Sequence, residues 1–591
     1  MMKKSLPNFF ILWICVLLPT LIVFSYLFEL KDLTFSCLDN SFNSYIFYVN
    51  GTDMAGFFRN ASQFFSGEWP STIIYRAPLY TLFIILMSFF TSEIFIVVIV
   101  QAFLFLGTLW IIYQIANETF NWSVGVIAVL LLSFYGGFVF WVGVPHSTIL
   151  ETFLCSLTFL HLLWYRKELN YLNACLLGVS GAFLCLIRPN FLIIIPFAVS
   201  LVVFEYIGMC KKIRNSLLSF FLFLICFATL LIPITVWNNL HSDKLVVFTA
   251  NGRSTFRIAN SYDSCVYNFI YPKKPVMPIV SVAFWKHQVK KFTGYWTAVE
   301  YPQNVNFYIY RSKSRVLALL PLNFGVIGAL FIAATMLFSL NFRKHWLLLW
   351  YVWGYVLTIV CFFIIGRFRI PVVPLMAVAG AGFIFKMFKF VKLLRKAPNR
   401  IYFSLKMHYT VCVMAFIAVF SLSNPFGQYI TDTNWINTSN HCLNELDLDG
   451  YADALRHSVA IRPYPLFSLN IIAADALAGR LDIAEKSLNA LLDVHPEYGY
   501  LLMTKREIDL LRRIHDKKLS LSSWKEYLEN ERGLGHLANL YSALRKCLRK
   551  REGFGFCVKK IGAYPVDFYR STNEKSTVMK KAGTVDILEA S

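Results

Sequence analysis

Long apolar runs separated by short polar stretches dominate the first 425 residues of the chain. A helix needs about 20 apolar residues to cross the hydrocarbon core of a bilayer, and it must satisfy its backbone groups internally. Such runs predict eleven spans, at residues 8–28, 94–114, 122–140, 147–164, 170–187, 191–208, 214–236, 322–340, 346–365, 370–388 and 409–423. We therefore predict an all-α polytopic membrane protein that has interfacial helices in addition to its spans.

The composition excludes an ordinary soluble protein. Hydrophobic residues make up 57% of the 591 residues and charged residues only 15%, whereas about a quarter of a typical soluble chain is charged. The formal net charge of +22 would favour nucleic acid as the partner of a soluble protein. Here much of the basic charge lies in short tracts beside apolar runs, as in cytoplasmic membrane loops. We therefore predict a lipid bilayer as the partner, and no nucleic acid.

The basic tracts also predict the orientation of the spans, because cytoplasmic loops carry an excess of lysine and arginine. The apolar segment Pro78–Thr91 is short. If it does not cross, all basic tracts fall on the cytoplasmic side: Lys3-Lys4, Arg166-Lys167, Lys211-Lys212, Arg343-Lys344 and the series from Lys386 to Lys406. We expect a multi-pass protein of the inner (plasma) membrane, with a cytoplasmic N-terminus and with residues 29–93, 237–321 and 424–591 outside.

The composition further divides the chain into two predicted domains. Residues 1–425 form the membrane domain, whose outer loops are 29–93 and 237–321; the second loop is long enough to cover a site. Residues 426–591 are richer in charged residues and show helical periodicity. Five positions there match the second half of a tetratricopeptide repeat (TPR): Gly479, Ala484, Leu488, Leu491 and Pro496. We predict a small extracytoplasmic, TPR-like helical domain and expect it to bind a protein partner.

The first outer loop holds the most informative spacing. Asp53, Phe57 and Ala61 are four residues apart, which places them on one face of a helix that begins at the carboxylate. Gly67 is expected to end that helix, and Arg76 follows where the chain returns to the membrane. Taken alone, this pattern also fits an N-cap aspartate and an arginine that anchors a helix at the interface.

The same spacing, Asp-x3-aromatic-x3-Ala-x5-Gly followed by Arg-x-Pro-x-Tyr, resembles the first outer loop of membrane glycosyltransferases of the GT-C superfamily. It is most similar to a bacterial branch that resembles dolichyl-phosphate-mannose protein mannosyltransferases (glycosyltransferase family 39) and the aminoarabinose transferases of lipid A. Three further segments resemble motifs of this family in the same order: Leu186–Asn190, Trp237–Asn260 and Gly366–Pro374. Asn238 departs from the family, which usually has arginine at that position.

The resemblance implies an activity and its catalytic residues. Such enzymes take a sugar from a polyprenyl-phosphate carrier and give it to an extracytoplasmic acceptor, which in relatives is a protein hydroxyl, a lipid A phosphate or an envelope glycan. Transfer with inversion needs a carboxylate to accept the proton of the acceptor, and Asp53 is the predicted general base. Glu151, near the outer end of its span, is the second catalytic candidate. The nearby His146 is interpreted as a loop residue.

The resemblance also implies residues that bind the donor. Arginine suits a lipid phosphate because its planar fork can bind two oxygens. The candidates for donor phosphate binding are Arg76, Arg188, Arg367 and Arg369, and those for the substrate loop are Asn239, Asn251 and Gly252. The sequence shows no nucleotide-binding motif. It identifies no cofactor and no metal ligands, and it leaves open whether a divalent metal assists.

Two other functions compete with glycosyl transfer. A transporter or lipid flippase should show inverted repeats and broken helices with polar residues near the midplane, whereas the polar residues here gather at the outer rim. A membrane scaffold that acts through its helical tail would leave the first-loop spacing unexplained. We therefore expect an integral membrane glycosyltransferase, and a transporter without transferase activity is the alternative.

Overall fold

The computed structural model describes most of the membrane domain and part of the C-terminal region. The described residues are 9–35, 53–67, 74–90, 94–210, 213–242, 246, 249, 251–264, 266, 274–301, 305, 307–396, 403–423, 452–453, 455–456, 465–477, 480–494, 504–505, 508–509 and 512. They form two compact units, one between residues 9 and 423 and one from residue 452 onward. The domain boundary at residue 425 stays a prediction.

All regular elements of the described residues are helices. The first unit contains α1 (Phe9–Phe35), α2 (Asp53–Phe65), α3 (Leu79–Ser88), α4 (Ile94–Thr119), α5 (Trp122–Ser133), α6 (Gly136–Val142), α7 (Thr148–Lys167), α8 (Tyr171–Ile187), α9 (Phe191–Cys210), α10 (Ile213–Leu240), α11 (Asn251–Asn260), α12 (Val282–Tyr295), α13 (Phe307–Lys313), α14 (Arg315–Leu319), α15 (Phe324–Ser339), α16 (Phe342–Val360), α17 (Val373–Lys396) and α18 (Phe403–Ser423). Two 3-10 turns, Gly366–Phe368 and Ile370–Val372, precede α17. The second unit contains α19 (Pro465–Leu477) and α20 (Leu481–Val494).

Helix length and hydropathy identify a membrane protein. In the part of the chain that the structure describes, six helices are long and apolar enough to cross a bilayer: Phe95–Thr119, Thr148–Lys167, Phe191–Gly208, Ile213–Leu240, Gly366–Arg395 and Lys406–Ser423. Each coincides with a predicted span. The other five predicted spans are not among these six helices, so the total of eleven stays a prediction.

The predicted span 122–140 is two helices rather than one. α5 ends at Ser133, and α6 begins at Gly136. At the break, the N–H of Gly136 donates to the carbonyl of Leu322 (3.2 Å), and the N–H of Leu322 donates to the carbonyl of Phe134 (3.2 Å). Buried backbone groups need partners, and this long-range pairing supplies them where the helix stops.

The apolar segment Pro78–Thr91 contains α3, a helix of 10 residues. At a rise of about 1.5 Å per residue such a helix is about 15 Å long. The hydrocarbon core of a bilayer is roughly 30 Å thick. The helix is therefore too short to cross, which agrees with the prediction that this segment does not span.

Two basic tracts lie at the opposite end of the helices from the candidate site residues. Arg166, in the last turn of α7, donates to the carbonyl of Arg343 at the start of α16 (2.9 Å). In the first turn of α7, Glu151 lies 3.8 Å from Arg188, which follows α8. The predicted orientation requires this separation. Which end faces the cytoplasm stays a prediction.

The C-terminal unit contains a helical hairpin formed by α19 and α20. Ala484 and Leu488 of α20 are fully buried. Asp475 of α19 is 1% exposed and accepts hydrogen bonds from Arg456 (2.8 Å) and Arg480 (2.7 Å). Two guanidinium groups thus compensate the buried carboxylate. Two positions of the repeat pattern, Gly479 and Pro496, lie outside the described residues, and the TPR-like assignment stays a prediction.

Candidate active site

The candidate site begins at the N-terminal end of α2. The helix starts at Asp53, as the spacing predicts, so the carboxylate stands where a helix stabilises negative charge. At the other end Gly67 has a positive φ of 74°, and its N–H donates to the carbonyl of Phe64 (3.1 Å). Glycine adopts this left-handed conformation without steric cost, so the predicted helix end is confirmed.

Asp53 pairs with two arginines that are distant in the sequence. Nη2 of Arg76 lies 3.1 Å from Oδ1, and Nη2 of Arg367 lies 2.7 Å from Oδ2. Hydrogen bonds between ionised groups are among the strong ones in proteins. The side chains of Asp53 and Arg76 are 19% and 33% exposed, so the carboxylate is both held in place and partly accessible.

A second pair lies beside the first, between Glu151 and Arg188. Glu151 is in the first turn of α7 and accepts a hydrogen bond from the hydroxyl of Ser147 (2.7 Å). Nη1 of Arg188 lies 3.8 Å from its Oε2. The Glu151 side chain is 5% exposed, so its charge is sheltered from water and needs these partners.

Phe368 connects the two pairs. The guanidinium of Arg188 lies 4.2 Å from the centroid of its ring, and that of Arg367 lies 5.0 Å from it. An aromatic face attracts cations. The hydroxyl of Tyr355 donates to the carbonyl of Phe368 (3.0 Å) and holds the turn in place. The structure thereby brings five predicted site residues together: Asp53, Glu151, Arg76, Arg188 and Arg367.

His146 is a member of this cluster that the sequence analysis missed, because it was interpreted as a loop residue. It is 2% exposed, and its Nε2 accepts a hydrogen bond from Nη1 of Arg367. Its ring packs against those of Phe57 and Trp141. One signal in the sequence was available: His146 directly precedes Ser147, which is four residues before the candidate Glu151 and donates a hydrogen bond to it.

Glu300 is a further carboxylate that the sequence analysis did not single out. Its Oε1 accepts a hydrogen bond from the hydroxyl of Tyr135 (2.5 Å), and burial raises its pKa. A Cβ added at Gly366 would meet Oε2 of Glu300 at 2.7 Å. Glycine permits this close approach. Glu300 therefore supports the turn that carries Arg367.

Arg369, two residues after Arg367, lies outside the cluster. It is fully buried. Nη1 donates to the carbonyl of Thr297 (2.8 Å) and Nη2 to that of Gly294 (3.4 Å). Its guanidinium lies 4.5 Å from the centroid of the Phe324 ring. These contacts fasten the end of α12 to the body of the unit.

We expect Arg369→Met to lower the stability of the fold. The substitution leaves buried carbonyl groups without their donor, which costs about 1–3 kcal/mol for each unsatisfied group. Thermal unfolding in detergent should show a lower midpoint than wild type. Arg253→Met, at an exposed arginine of α11, is the matched control. Equal midpoints for the Arg369 variant and wild type would contradict the structural role.

The predicted substrate-loop residues also lie outside the cluster. The side chain of Asn239 accepts a hydrogen bond from the N–H of Val246 (3.2 Å). Asn251 begins α11 and accepts one from the hydroxyl of Thr249 (2.9 Å). Gly252 follows in the first turn of α11, with open space where a Cβ would stand. The contacts of the two asparagines order the backbone of the second outer loop.

Asn238, where the family usually has arginine, links the second outer loop to the first. Its side chain is fully buried. Its Oδ1 accepts a hydrogen bond from the N–H of Ile74 (2.8 Å), two residues before Arg76. A guanidinium has no acceptor and could not make this bond. The asparagine therefore fixes the backbone that leads into Arg76.

Gly56 makes room for the guanidinium of Arg76. A Cβ at this position would overlap Nη1 of Arg76. Because the end of an arginine side chain is flexible, we expect Gly56→Ala to displace Arg76 from Asp53 without unfolding the protein.

A misplacement of about 1 Å can cost about 10²-fold in rate, so transfer activity should fall by up to that factor in Gly56→Ala membranes. Gly208→Ala, at a glycine of α9 with open space around it, is the control. Full activity of Gly56→Ala would show that the contact between Arg76 and Asp53 is not needed.

The cluster carries a net positive charge. Three guanidinium groups face two carboxylates, and burial followed by the charge of Arg367 lowers the pKa of His146 well below its usual range. His146 is therefore neutral at pH 7. Among the described residues, no three His, Cys, Asp or Glu side chains lie together as metal ligands. The excess of positive charge suits an anionic group.

Comparisons with known proteins give a distant structural likeness. No protein-family model and no curated protein sequence matches this chain. Among solved structures, the chain is similar to the archaeal oligosaccharyltransferase AglB from Archaeoglobus fulgidus, a membrane glycosyltransferase of the GT-C superfamily. The complex of that enzyme with an inhibitory peptide and a dolichol-phosphate is 13% identical, with a TM-score of 0.38.

Two other structures of the Archaeoglobus fulgidus oligosaccharyltransferase give similar values. The apo form is 11% identical with a TM-score of 0.35, and the form tethered to an acceptor peptide with the NVT sequon is 13% identical with a TM-score of 0.34. The three alignments cover 76%, 77% and 76% of this chain. They cover 60%, 61% and 60% of the oligosaccharyltransferase, so the chain spans about three fifths of its length.

Proposed function

We propose that the protein is an integral membrane glycosyltransferase that moves a sugar from a polyprenyl-phosphate donor to an extracytoplasmic acceptor. The observation that carries the proposal is the carboxylate of Asp53 between Arg76 and Arg367. Glycosyl transfer from a lipid phosphate needs a base for the acceptor and cations for the leaving phosphate. The cluster supplies both, at the end of the helices opposite to the tracts at Arg166 and Arg343.

In the proposed reaction Asp53 accepts the proton of the acceptor hydroxyl. Each arginine faces a different carboxylate oxygen of Asp53, and an ionised carboxylate offers about four lone-pair sites. The acceptor oxygen forms a bond to the anomeric carbon as the bond from that carbon to the phosphate oxygen breaks. The electron pair leaves with the phosphate. The products are the glycosylated acceptor, the polyprenyl phosphate and a protonated Asp53, which returns its proton to water.

Arg76, Arg188 and Arg367 bind the donor phosphate in this proposal. The phosphate changes from a diester with one negative charge to a monoester with a second, and fixed guanidinium groups stabilise the charge as it develops. The Nε atoms of Arg188 and Arg367 are buried without a hydrogen-bond partner, so each arginine retains an N–H group that can donate to the phosphate. Glu151 holds Arg188 in position.

The location and the partners follow from the same proposal. The donor lies in the outer leaflet of the inner (plasma) membrane, where its prenyl chain stays in the hydrocarbon and its phosphate reaches the arginines. The acceptor is a protein, lipid A or an envelope glycan outside the cytoplasm. The C-terminal helical domain binds a protein partner there.

A transfer assay in proteoliposomes tests the proposal. Purified protein is supplied with radiolabelled polyprenyl-phosphate sugars and with extracts that contain candidate acceptors. We expect label to pass into acceptor-dependent product, with equimolar release of polyprenyl phosphate. If the folded wild-type protein releases no sugar from any of these donors, the proposal is wrong. Equilibration of the donor between the two leaflets without transfer would instead establish a flippase.

A further inference from the structure

His146 lies between the start of α7 and the arginine that holds Asp53. It is enclosed by three aromatic rings, whose centroids lie 5.8 Å (Phe57), 6.4 Å (Tyr80) and 5.5 Å (Trp141) from its own. Its Nε2 faces Nη1 of Arg367, and its Nδ1 lies 2.9 Å from the hydroxyl of Thr148. The ring is therefore fixed in one orientation, with both nitrogens engaged.

The partners determine which nitrogen of His146 carries the proton. A guanidinium only donates, so Nε2 must accept and the proton must be on Nδ1. The N–H then donates to the hydroxyl oxygen of Thr148. The backbone N–H of Thr148 also points at Nδ1 (3.2 Å) and favours the other tautomer. The bond from Arg367 outweighs it, because hydrogen bonds from ionised donors are about twice as strong as neutral ones.

We propose that His146 is a positioning residue, which in its neutral form holds Arg367 against Asp53 and releases it when protonated. This inference rests on the proposed function, because it assigns a role to His146 in the same site. Protonation converts Nε2 from an acceptor to a donor and adds a positive charge next to Arg367. In a buried place, two like charges repel strongly. The pair between Arg367 and Asp53 then loses one of the contacts that place it.

The surroundings of His146 determine the direction of the pH dependence. The charged groups that face it are Arg367, Asp53, Arg188 and Arg76; burial and Arg367 lower its pKa, and Asp53 opposes them. Because the folded-state pKa lies below the ordinary value of about 6.5, the neutral form is present at neutral pH. Neutral His146 is lost as the pH falls through its folded-state pKa, and its contact with Arg367 is lost at the same time.

A stability experiment tests the contact without relying on transfer. Glutamine at position 146 can present its carbonyl oxygen to Arg367 and does not titrate. Between about pH 8 and pH 5, where histidine ordinarily titrates, wild type should lose more thermal stability than His146→Gln. His241→Gln, at an exposed histidine, should follow wild type. Parallel pH curves for wild type and His146→Gln would overturn the proposal.

An Arg367→Met background separates the contact from burial alone. Without the neighbouring positive charge, protonation of His146 should cost less. Two variants are compared in this background: Arg367→Met alone and Arg367→Met with His146→Gln. At low pH, the difference in thermal stability between them should be smaller than the difference between wild type and His146→Gln. An undiminished difference would show that burial, and not Arg367, makes His146 sensitive to pH, and the proposal would be wrong.

Transfer rates test whether the contact positions the base. His146→Leu removes the acceptor, and we expect it to lower transfer by about 10²-fold, as misplaced catalytic groups do. His146→Gln should be less impaired, and its rate relative to wild type should rise as the pH falls.

Several outcomes separate this inference from the proposed function. Equal rates for His146→Leu and His146→Gln, or a ratio that does not change with pH, would overturn the positioning role while transfer itself stands. If wild type transfers no sugar, the proposed function fails, and the stability curves still decide whether His146 holds Arg367. If His146→Gln does not fold, Thr148→Val replaces it as the test. This substitution removes the acceptor of the Nδ1 proton and should weaken the contact between His146 and Arg367. If the thermal stability of Thr148→Val depends on pH as that of wild type does, the proposal is overturned.

Discussion

Asp53→Asn should abolish sugar transfer while the protein remains folded and inserted in the membrane. Asparagine has nearly the same size as aspartate, but it cannot take a proton from the acceptor. General base catalysis contributes about 10² to 10⁴-fold, so the barrier should rise by about 3 to 5 kcal/mol. The measurement is the initial rate of transfer from a radiolabelled polyprenyl-phosphate sugar, at equal amounts of wild-type and variant protein in the membrane.

The control for Asp53→Asn must separate lost charge from lost chemistry. Glu168→Gln, at an exposed carboxylate beyond the basic end of α7, changes the charge equally and should transfer at the wild-type rate. Asp53→Asn also leaves Arg76 and Arg367 without their carboxylate, so the midpoint of thermal unfolding is measured in parallel. Transfer by Asp53→Asn near the wild-type rate would remove Asp53 from the mechanism and make Glu151 the next candidate.

The sequence predicts the helix around Asp53 well because its signals are local. The spacing of Asp53, Phe57 and Ala61 needs only helical periodicity, and Gly67 needs only its own backbone freedom. Phe57 and Ala61 are 6% and 3% exposed, on the buried face that the spacing predicts. The same holds for the longest apolar runs, because the length of a span depends on the bilayer and not on neighbouring helices.

The backbone partner at the break between α5 and α6 could not be predicted, because it is distant in sequence. The run at 122–140 carries no charged residue and favours one helix, although Gly136-Gly137 is a weak point near its end. Helix α5 ends at Ser133, and Phe134 and Gly136 exchange backbone hydrogen bonds with Leu322 instead. Nothing in the local sequence marks such a partner. The break also sets Tyr135 against Glu300, and that carboxylate stands in a loop without periodicity.

The two arginines of the turn at residues 366–370 show how far site residues can be predicted from the sequence. The resemblance to the glycosyltransferase family assigns Arg367 and Arg369 the same role. In a 3-10 turn each residue rotates by about 120°, so side chains two residues apart point in different directions. Arg367 reaches Asp53, and Arg369 reaches the carbonyl groups at the end of α12. The direction of each side chain depends on the turn and on its partners, which only the folded chain reveals.

Arg367→Lys should lower transfer strongly, although it keeps the positive charge. Arg367 uses Nη2 for Asp53, Nη1 for His146 and its flat face for Phe368. A lysine ammonium is a point charge without the fork, so it can replace at most one of these contacts well. Removing one group that stabilises developing charge costs about 10² to 10³-fold, and we expect the lysine variant to lose about 10²-fold and Arg367→Ala more.

Arg369→Lys is the matched comparison for Arg367→Lys, because it makes the same chemical change two residues away. Its effect should be on the thermal midpoint, since Arg369 binds buried carbonyl groups, and the rate for each folded molecule should fall less than in Arg367→Lys. An arginine that only anchors a helix end at the interface needs a long cationic chain, which lysine also provides. Wild-type transfer by Arg367→Lys, at equal abundance in the membrane, would therefore identify Arg367 as an anchor. It would also remove the strongest reason for placing the donor phosphate at this turn.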